Sequence, residues 1–445
     1  MKRFDLQKLI LSLLLAACFV WLSNDAYAVP SFARQTNLAC NTCHTIFPEL
    51  KPFGRLFKLN GYTLTGIKAI EAQNENEQTN LKILSISPLS AMVQSSITRL
   101  NRTIPGTQNN DVGFPQQLSF FFAGEISPRI GTFIQVTYDD IGASFGWDNT
   151  DIRYANNTTL ASRNLIYGLT LNNNPTVQDV WNSTPAWGFP YTSSAVAPAP
   201  AAATLIDGGL GGEVAGLGAY GFYNNLVYGE FTVYRSAQQG GPHPPDASAS
   251  GVISHVAPYW RLALQRQWMN QYLEVGTYGL YTKLYQTGIS GLTNQYTDIA
   301  FDAQYEYNIN NTYITAHATY IHEKQDLDAQ FEEAVRAESY KLNSFRANAN
   351  IYFLRNYAFV LGYFDISGDK NTLFYSPDPI DGSRTGKPNS NGIIAQVDYL
   401  PWYNTRFSLQ YVIYTNFNGA SNNYDGYDRK ASDNNTLYLL AWLNF

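Results

Sequence analysis

The 445-residue chain is 15% aromatic, only 14% charged, and carries a formal net charge of −6. This weak acidity argues against a polyanion partner, and no nucleotide-binding loop, nucleophile triad or nucleic-acid patch stands out. The 32 Tyr, 25 Phe and 8 Trp occur without long apolar runs, a composition unusual for a soluble protein and suited to a membrane β-barrel, whose strands alternate and whose rims carry aromatic girdles.

Residues 1–28 begin with Lys2, Arg3 and Lys8, continue through an apolar stretch from Leu9 to Leu22, and end in the small-residue cleavage signal Ala26-Tyr27-Ala28. The apolar stretch is short for a membrane span, which predicts a removed signal peptide and a mature chain from Val29. Leu15-Ala16-Ala17-Cys18 suggests lipoprotein processing, but the chain stays apolar through Phe19-Val20-Trp21-Leu22. No later hydrophobic run reaches about 18 residues, so no transmembrane helix is expected after cleavage.

Next comes Cys40-Asn41-Thr42-Cys43-His44, which reads as a covalent c-type haem site. Two thiols one short turn apart can each add to a vinyl group of one porphyrin, and the adjoining imidazole then lies under the iron as proximal ligand. A structural zinc site wants about four Cys or His ligands, and the other histidines lie far along the chain. A thioredoxin-like redox pair would follow a strand, and Ala33 to Cys40 shows none. The site residues are therefore Cys40 and Cys43 for one covalently bound haem and His44 for its iron. Residues 29–83 form a small, mainly helical plug. One helix is expected in Phe47–Tyr62 despite Pro52 and Gly54, with Gly61 as its stop. Its Phe53, Leu56, Phe57 and Leu59 would cover one porphyrin face.

From residue 84 the pattern is an all-β, transmembrane antiparallel barrel of about sixteen strands. The segments are 88–100, 116–126, 129–139, 149–156, 164–172, 212–222, 226–236, 255–267, 271–282, 295–307, 312–322, 342–353, 357–366, 392–401, 405–416 and 436–445. Tight links such as Asn224-Asn225 alternate with long connections, the short ones assigned to the periplasm. In the first strand Leu89, Ala91, Val93 and Ile97 suit lipid, while Ser90, Met92, Gln94 and Ser96 suit a lumen. In 312–322, Ile314, Ala316, Ala318 and Tyr320 suit lipid, leaving Thr315, His317 and Thr319 inside. Leu437, Leu439, Ala441, Leu443 and Phe445 share one face of a last strand ending in Phe, which resembles the terminal strand of bacterial outer-membrane proteins. Too short to wrap a haem, the plug is expected in the periplasmic mouth of the barrel.

With Pro30-Ser31-Phe32-Ala33-Arg34-Gln35 before the haem motif, His44-Thr45-Ile46-Phe47-Pro48-Glu49-Leu50 after it, and Phe57-Lys58-Leu59-Asn60-Gly61-Tyr62, the chain resembles the fused monohaem cytochrome-porins of the bacterial outer membrane. The best-known members are iron(II) oxidases of chemolithotrophs. The resemblance implies an electron-transfer protein in the outer membrane, passing electrons from an extracellular donor, Fe(II) first, through haem to a periplasmic cytochrome or other carrier. That would make it an oxidoreductase of the Fe(II):cytochrome c type. The alternatives are a porin-type channel for a small solute with a haem plug, or an outward conduit working with multihaem partners.

The plug holds no Met and no second His, so the distal ligand must come from the barrel or an amine. Met92 faces the lumen on the first strand and is the candidate; His317 and the amines of Lys51 and Lys58 are others, and an open position is allowed. The connection 323–341 carries Glu323, Asp326, Asp328, Glu332, Glu333 and Glu338, oxygen donors suited to weak Fe(II) binding or simply a solvated rim. The third external connection, 173–211, is the one that folds inward in many porins, and Asn172–Tyr191 would then narrow the pore above the haem.

Overall fold

The computed structural model describes residues 30–64, 69–72, 81–84, 87–139, 143–330 and 339–445. The expected leader, the Cys18 processing site, and Glu332, Glu333 and Glu338 lie outside the described residues. Among the described residues, three short helices come first: α1 (Pro30–Thr36), the single turn α2 (Cys40–Cys43) and α3 (Pro52–Leu59). A two-stranded ladder pairing 69–72 with 81–84 follows.

Sixteen strands then form one closed antiparallel barrel. They are β1 (Leu89–Leu100), β2 (Asp111–Ser127), β3 (Ile130–Asp139), β4 (Ser144–Leu160), β5 (Arg163–Asn172), β6 (Val214–Tyr223), β7 (Val227–Ser236) and β8 (Ala257–Trp268). The second half comprises β9 (Gln271–Tyr285), β10 (Thr293–Ile309), β11 (Thr312–Asp326), β12 (Ser339–Phe353), β13 (Tyr357–Gly368), β14 (Ser390–Trp402), β15 (Thr405–Asn416) and β16 (Thr436–Asn444). Each strand pairs with the next, and β16 returns to β1 with Leu439 opposite Ile97. The terminal Phe445 adds two backbone bonds to Ala91, of 2.9 and 2.7 Å. Closure leaves no unpaired edge, the condition for a sheet in lipid. All sixteen strands overlap the segments expected from alternation. Several run further at the end with the longer connections, where the backbone ladder continues. At β2 the register shifts between Gln94 and Ser96, opposite Pro115, which has no N–H to give the ladder.

One rim is closed by tight turns of two or three residues, such as Asn224–Leu226 with positive φ at both asparagines; the other carries longer connections. Side chains alternate as the sequence implied. Leu89 and Ile97 are 43% and 46% exposed while Ser90, Met92, Gln94 and Ser96 are each under 4%. Phe359, Leu361 and Tyr363 point outward from β13, and Leu439, Leu443 and Phe445 from β16. An apolar outside with polar residues inside is the face distribution of a membrane-spanning barrel.

The lumen is furnished by the plug and by the connection 173–213. The plug sits at the short-turn rim: Asn41 reaches Tyr403 at the β14–β15 turn, and Gln35 reaches the Ala123 carbonyl. Gly131 faces the Gly61 carbonyl so closely that a Cβ there would overlap it. The 173–213 connection turns inward and buries Val177, Val180 and Trp181 completely or nearly so.

Candidate functional site

The motif turn α2 is built by backbone bonds from Thr42 to the Ala39 carbonyl and from His44 to the Cys40 carbonyl, both 2.9 Å. This turn presents Cys40 and Cys43 together. His44 leaves the turn in extended conformation and bridges to Leu50. Its Nδ1 lies 3.2 Å from the Glu49 carbonyl, so that bond sets the tautomer and leaves Nε2 for another partner. Helix α3 packs directly on the motif: the Lys51 N–H donates to the Cys43 carbonyl at 2.8 Å, and a Cβ on Gly54 would stand 2.5 Å from that oxygen. Only glycine allows this approach.

Cys40, Cys43 and His44 border a cavity of about 340 Å³ inside the barrel, within the roughly 300–1,000 Å³ of an ordinary small-molecule site. Its walls are aromatic on several sides. Phe32 meets Phe57 edge-on at 5.1 Å and stacks on Tyr62 at 5.5 Å. Phe47 meets Trp442 at 5.1 Å, and Phe133 of β3 meets Trp187 of the inward connection at 5.9 Å. Met92 reaches the cavity from β1, only 3% exposed, in one apolar cluster with Cys40, Phe47, Phe121 and Trp442. Burial lowers the His44 imidazole to about 4, leaving a neutral ring able to coordinate a metal. Burial raises the Cys43 thiol to about 11.

The plug and the inward connection are fastened to each other and to the wall by buried polar groups. The Lys58 ammonium donates to the Val177 and Asp179 carbonyls at 2.7 and 2.8 Å, and the Leu50 N–H donates to Asn182. Burial first, and Arg153 second, lower the Lys58 amine to about 7. Glu49, with no exposed surface, accepts from Asn350 at 3.0 Å. Arg55 pairs with Glu306 of β10, and Tyr62 donates to Asp151 of β4 at 2.7 Å. In the connection, Asp179 accepts from the Trp181, Ser183 and Thr184 amides. Burial pushes its carboxyl up, and Arg261 with those amides pulls it below its ordinary value. Arg261 itself sits among Asp179, Glu274 and Asp302, all buried, at 3.4, 3.3 and 2.7 Å.

Of the residues singled out in the sequence, the fold gathers Cys40, Cys43, His44, Met92, Phe53, Phe57 and Lys58 around one cavity. Lys51 instead bonds the Asn41 carbonyl and faces a second opening on the short-turn rim. His317 lies apart from both, in a small pocket beside Ser183 and Phe189. Two of the four expected cover residues are misplaced: Leu59 packs with Ile166, Val180 and Trp181, and Leu56 is 37% exposed, because the helical period turns them to other faces. Glu323 is not a rim residue. It is buried in β11, accepting from the Leu205 N–H, while neighbouring Asp298 accepts from Ile206 at 2.9 Å; together they pin the inward connection. Asp326 pairs with Lys324. Among the described residues, no group of three or more His, Cys, Asp or Glu is placed to hold a metal ion. Sequence reasoning missed Glu49, Arg406, which bonds the Phe47 carbonyl, and the aromatic wall contributed by Trp187 and Tyr191. The reading of Asn172–Tyr191 as a segment that would narrow the pore was the one signal for the last.

No protein-family model matches this chain, and no curated protein does. Among solved structures, an anion-selective porin from Comamonas acidovorans superposes over 80% of this chain and 98% of its own, at 12% identity and TM-score 0.47. The outer membrane channel DcaP of Acinetobacter baumannii gives 80%, 96%, 12% and 0.46. Salmonella typhi OmpF, in complex with daunomycin, gives 80%, 97%, 14% and 0.44. Likeness this distant carries nothing about what this chain binds or transfers.

Proposed function

We propose that this protein is a bacterial outer-membrane electron-transfer protein in which residues 29–83 carry one covalent c-type haem inside a barrel formed by 84–445. Electrons would pass between an extracellular donor, Fe(II) first, and a periplasmic carrier. The observation that carries this reading is the convergence of Cys40, Cys43 and His44 on one buried, aromatic-lined cavity within a membrane barrel.

These residues fit such a group. Two thiols on a single turn would take the covalent attachments, and the free Nε2 of a neutral His44 would take the iron. Met92 is the side chain of the wall that would supply a further ligand to the iron. When bound, the haem supplies a one-electron carrier. The chain's own part is to hold His44 through the Glu49 carbonyl, keep water from the cavity with Phe32, Phe47, Phe57 and Trp442, and anchor the plug where it lies nearest the short-turn rim. Asn41 and Thr42 line the opening on that rim, which supports contact with a carrier on the periplasmic side.

The test is stopped-flow absorbance of detergent-purified, haem-matured protein mixed with Fe(II) under anoxia, beside a His44→Ala control. Rapid, His44-dependent haem reduction is expected. A haem that attaches but stays oxidised would remove Fe(II) as donor, and a chain that never gains haem would overturn the whole reading. The second opening, about 620 Å³ between plug and wall, favours a solute channel as the competing function. Single-channel conductance through the intact, plugged protein would support that channel.

A further inference from the structure

Met92 and Gln94 stand two residues apart on β1, so both face the lumen, and both border the cavity at the Cys40–His44 motif. Gln94 is 1% exposed. Its amide N–H donates to the Met92 sulfur, with Nε2 3.7 Å from Sδ. Its amide oxygen accepts from the Thr192 hydroxyl at 3.3 Å. Thr192 belongs to the inward connection, and its hydroxyl is also 3.4 Å from that of Tyr438 on β16.

A thioether is a weak acceptor that needs no donor to be buried comfortably. Methionine is also among the most adaptable of side chains, with three rotatable bonds. A buried glutamine that directs an N–H at such a sulfur, while a second element fixes its oxygen, restricts the sulfur to one orientation. We propose that Gln94 is a positioning residue that sets the Met92 thioether as the sixth ligand of the haem held by Cys40, Cys43 and His44. Thr192 links that ligand to the inward connection. The inference rests on the haem reading above and extends it to residues outside the motif. Outer-shell hydrogen bonds orient metal ligands and tune their donor strength. A hydrogen bond to the coordinated sulfur draws electron density from it and disfavours the ferric state, so the intact contact raises the potential.

The experiment compares the full haem-matured chain in detergent with Met92→Leu, Gln94→Leu and Thr192→Val. Each is checked for the heat-modifiable migration of a folded barrel and for covalent haem stain. Ferric parent protein is expected to show the weak near-infrared sulfur-to-iron charge-transfer band, and Met92→Leu to lose it. Gln94→Leu should weaken or shift that band and lower the midpoint potential, and Thr192→Val should do so to a smaller extent. An unchanged band and potential in Gln94→Leu, beside loss of the band in Met92→Leu, would overturn the positioning role. Stained parent protein without the band would overturn it while leaving the haem reading intact, whereas absence of haem stain would overturn both. Should Gln94→Leu not fold, Gln94→Glu is isosteric, keeps the acceptor for Thr192 and, when ionised, removes the donor to sulfur; the same shift is then expected of it.

Discussion

In the barrel wall each strand pairs with its neighbour in the chain from β1 to β16, and only the β16–β1 seam joins distant residues. The contents of the barrel are held the opposite way. Asn41 bonds Tyr403 across 362 positions, Phe47 bonds Arg406 across 359, and Glu49 bonds Asn350 across 301. The wall is therefore specified by a repeated local rule, apolar outward and polar inward, and tolerates change at any one position. The plug and the inward connection depend on a few buried polar groups, each matched to particular distant partners. Such contacts are costly to break, because the group left behind is desolvated and alone.

Removing the thiols separates the two regions most sharply. Cys40→Ala with Cys43→Ala should abolish covalent haem stain on denaturing gels while heat-modifiable migration stays as in the parent; loss of both would mean the plug is needed to assemble the wall. Arg261→Met comes next. It strands Asp179, Glu274 and Asp302 in the lumen, a change worth about 3–5 kcal/mol for a buried pair. Limited proteolysis should then cut within 173–213 while the strands stay protected. Unchanged protection would show that Glu323, Asp298 and the apolar contacts suffice to hold the connection.

Lys58 gives a pH-dependent version of the same comparison. Its amine titrates near 10.5 when exposed and is lowered to about 7 in the docked plug by burial and Arg153, against Asp151, Asp179 and Glu230. Between those values the released plug binds one more proton than the docked one, so docking should strengthen as pH rises from about 7 toward 10. Protease resistance of the plug measured across that range should rise, and Lys58→Met should flatten the slope; a fall with pH in the parent chain would contradict the assignment. The smallest effect is expected of Tyr62→Phe, which removes one hydrogen bond to Asp151. That carboxylate keeps Arg153 at 2.7 Å and Thr170 at 2.9 Å, so a loss of about 1 kcal/mol in thermal release of the plug is expected.

The wall was legible because membrane strands obey a period of two that can be read residue by residue. Even Phe445 could be placed on the outer face. The strand ends were less legible: β2 begins at Asp111 and β4 at Ser144, where Val112, Phe114, Phe145 and Trp147 still point outward but among the strand-poor residues Gly113, Pro115 and Gly146. In the plug, the motif itself was legible, since Cys-x-x-Cys-His has a chemical reason for its spacing. The surroundings were less so. Leu59 looked like cavity lining and packs away from it, and Glu323 looked like an exposed carboxylate and is buried against the Leu205 N–H.

The sequence by itself determined the strand count, the alternation of faces, the closing aromatic strand and the two thiols with their histidine, because each depends on residues within a few positions of one another. Tertiary structure alone decided that Met92, Gln94, Phe133, Trp187 and Trp442 stand around those thiols, and that the connection 173–213 turns inward to meet Lys58. Those choices depend on barrel closure and on matching buried donors to acceptors hundreds of residues apart, and no local pattern encodes which distant partner a buried polar group will find.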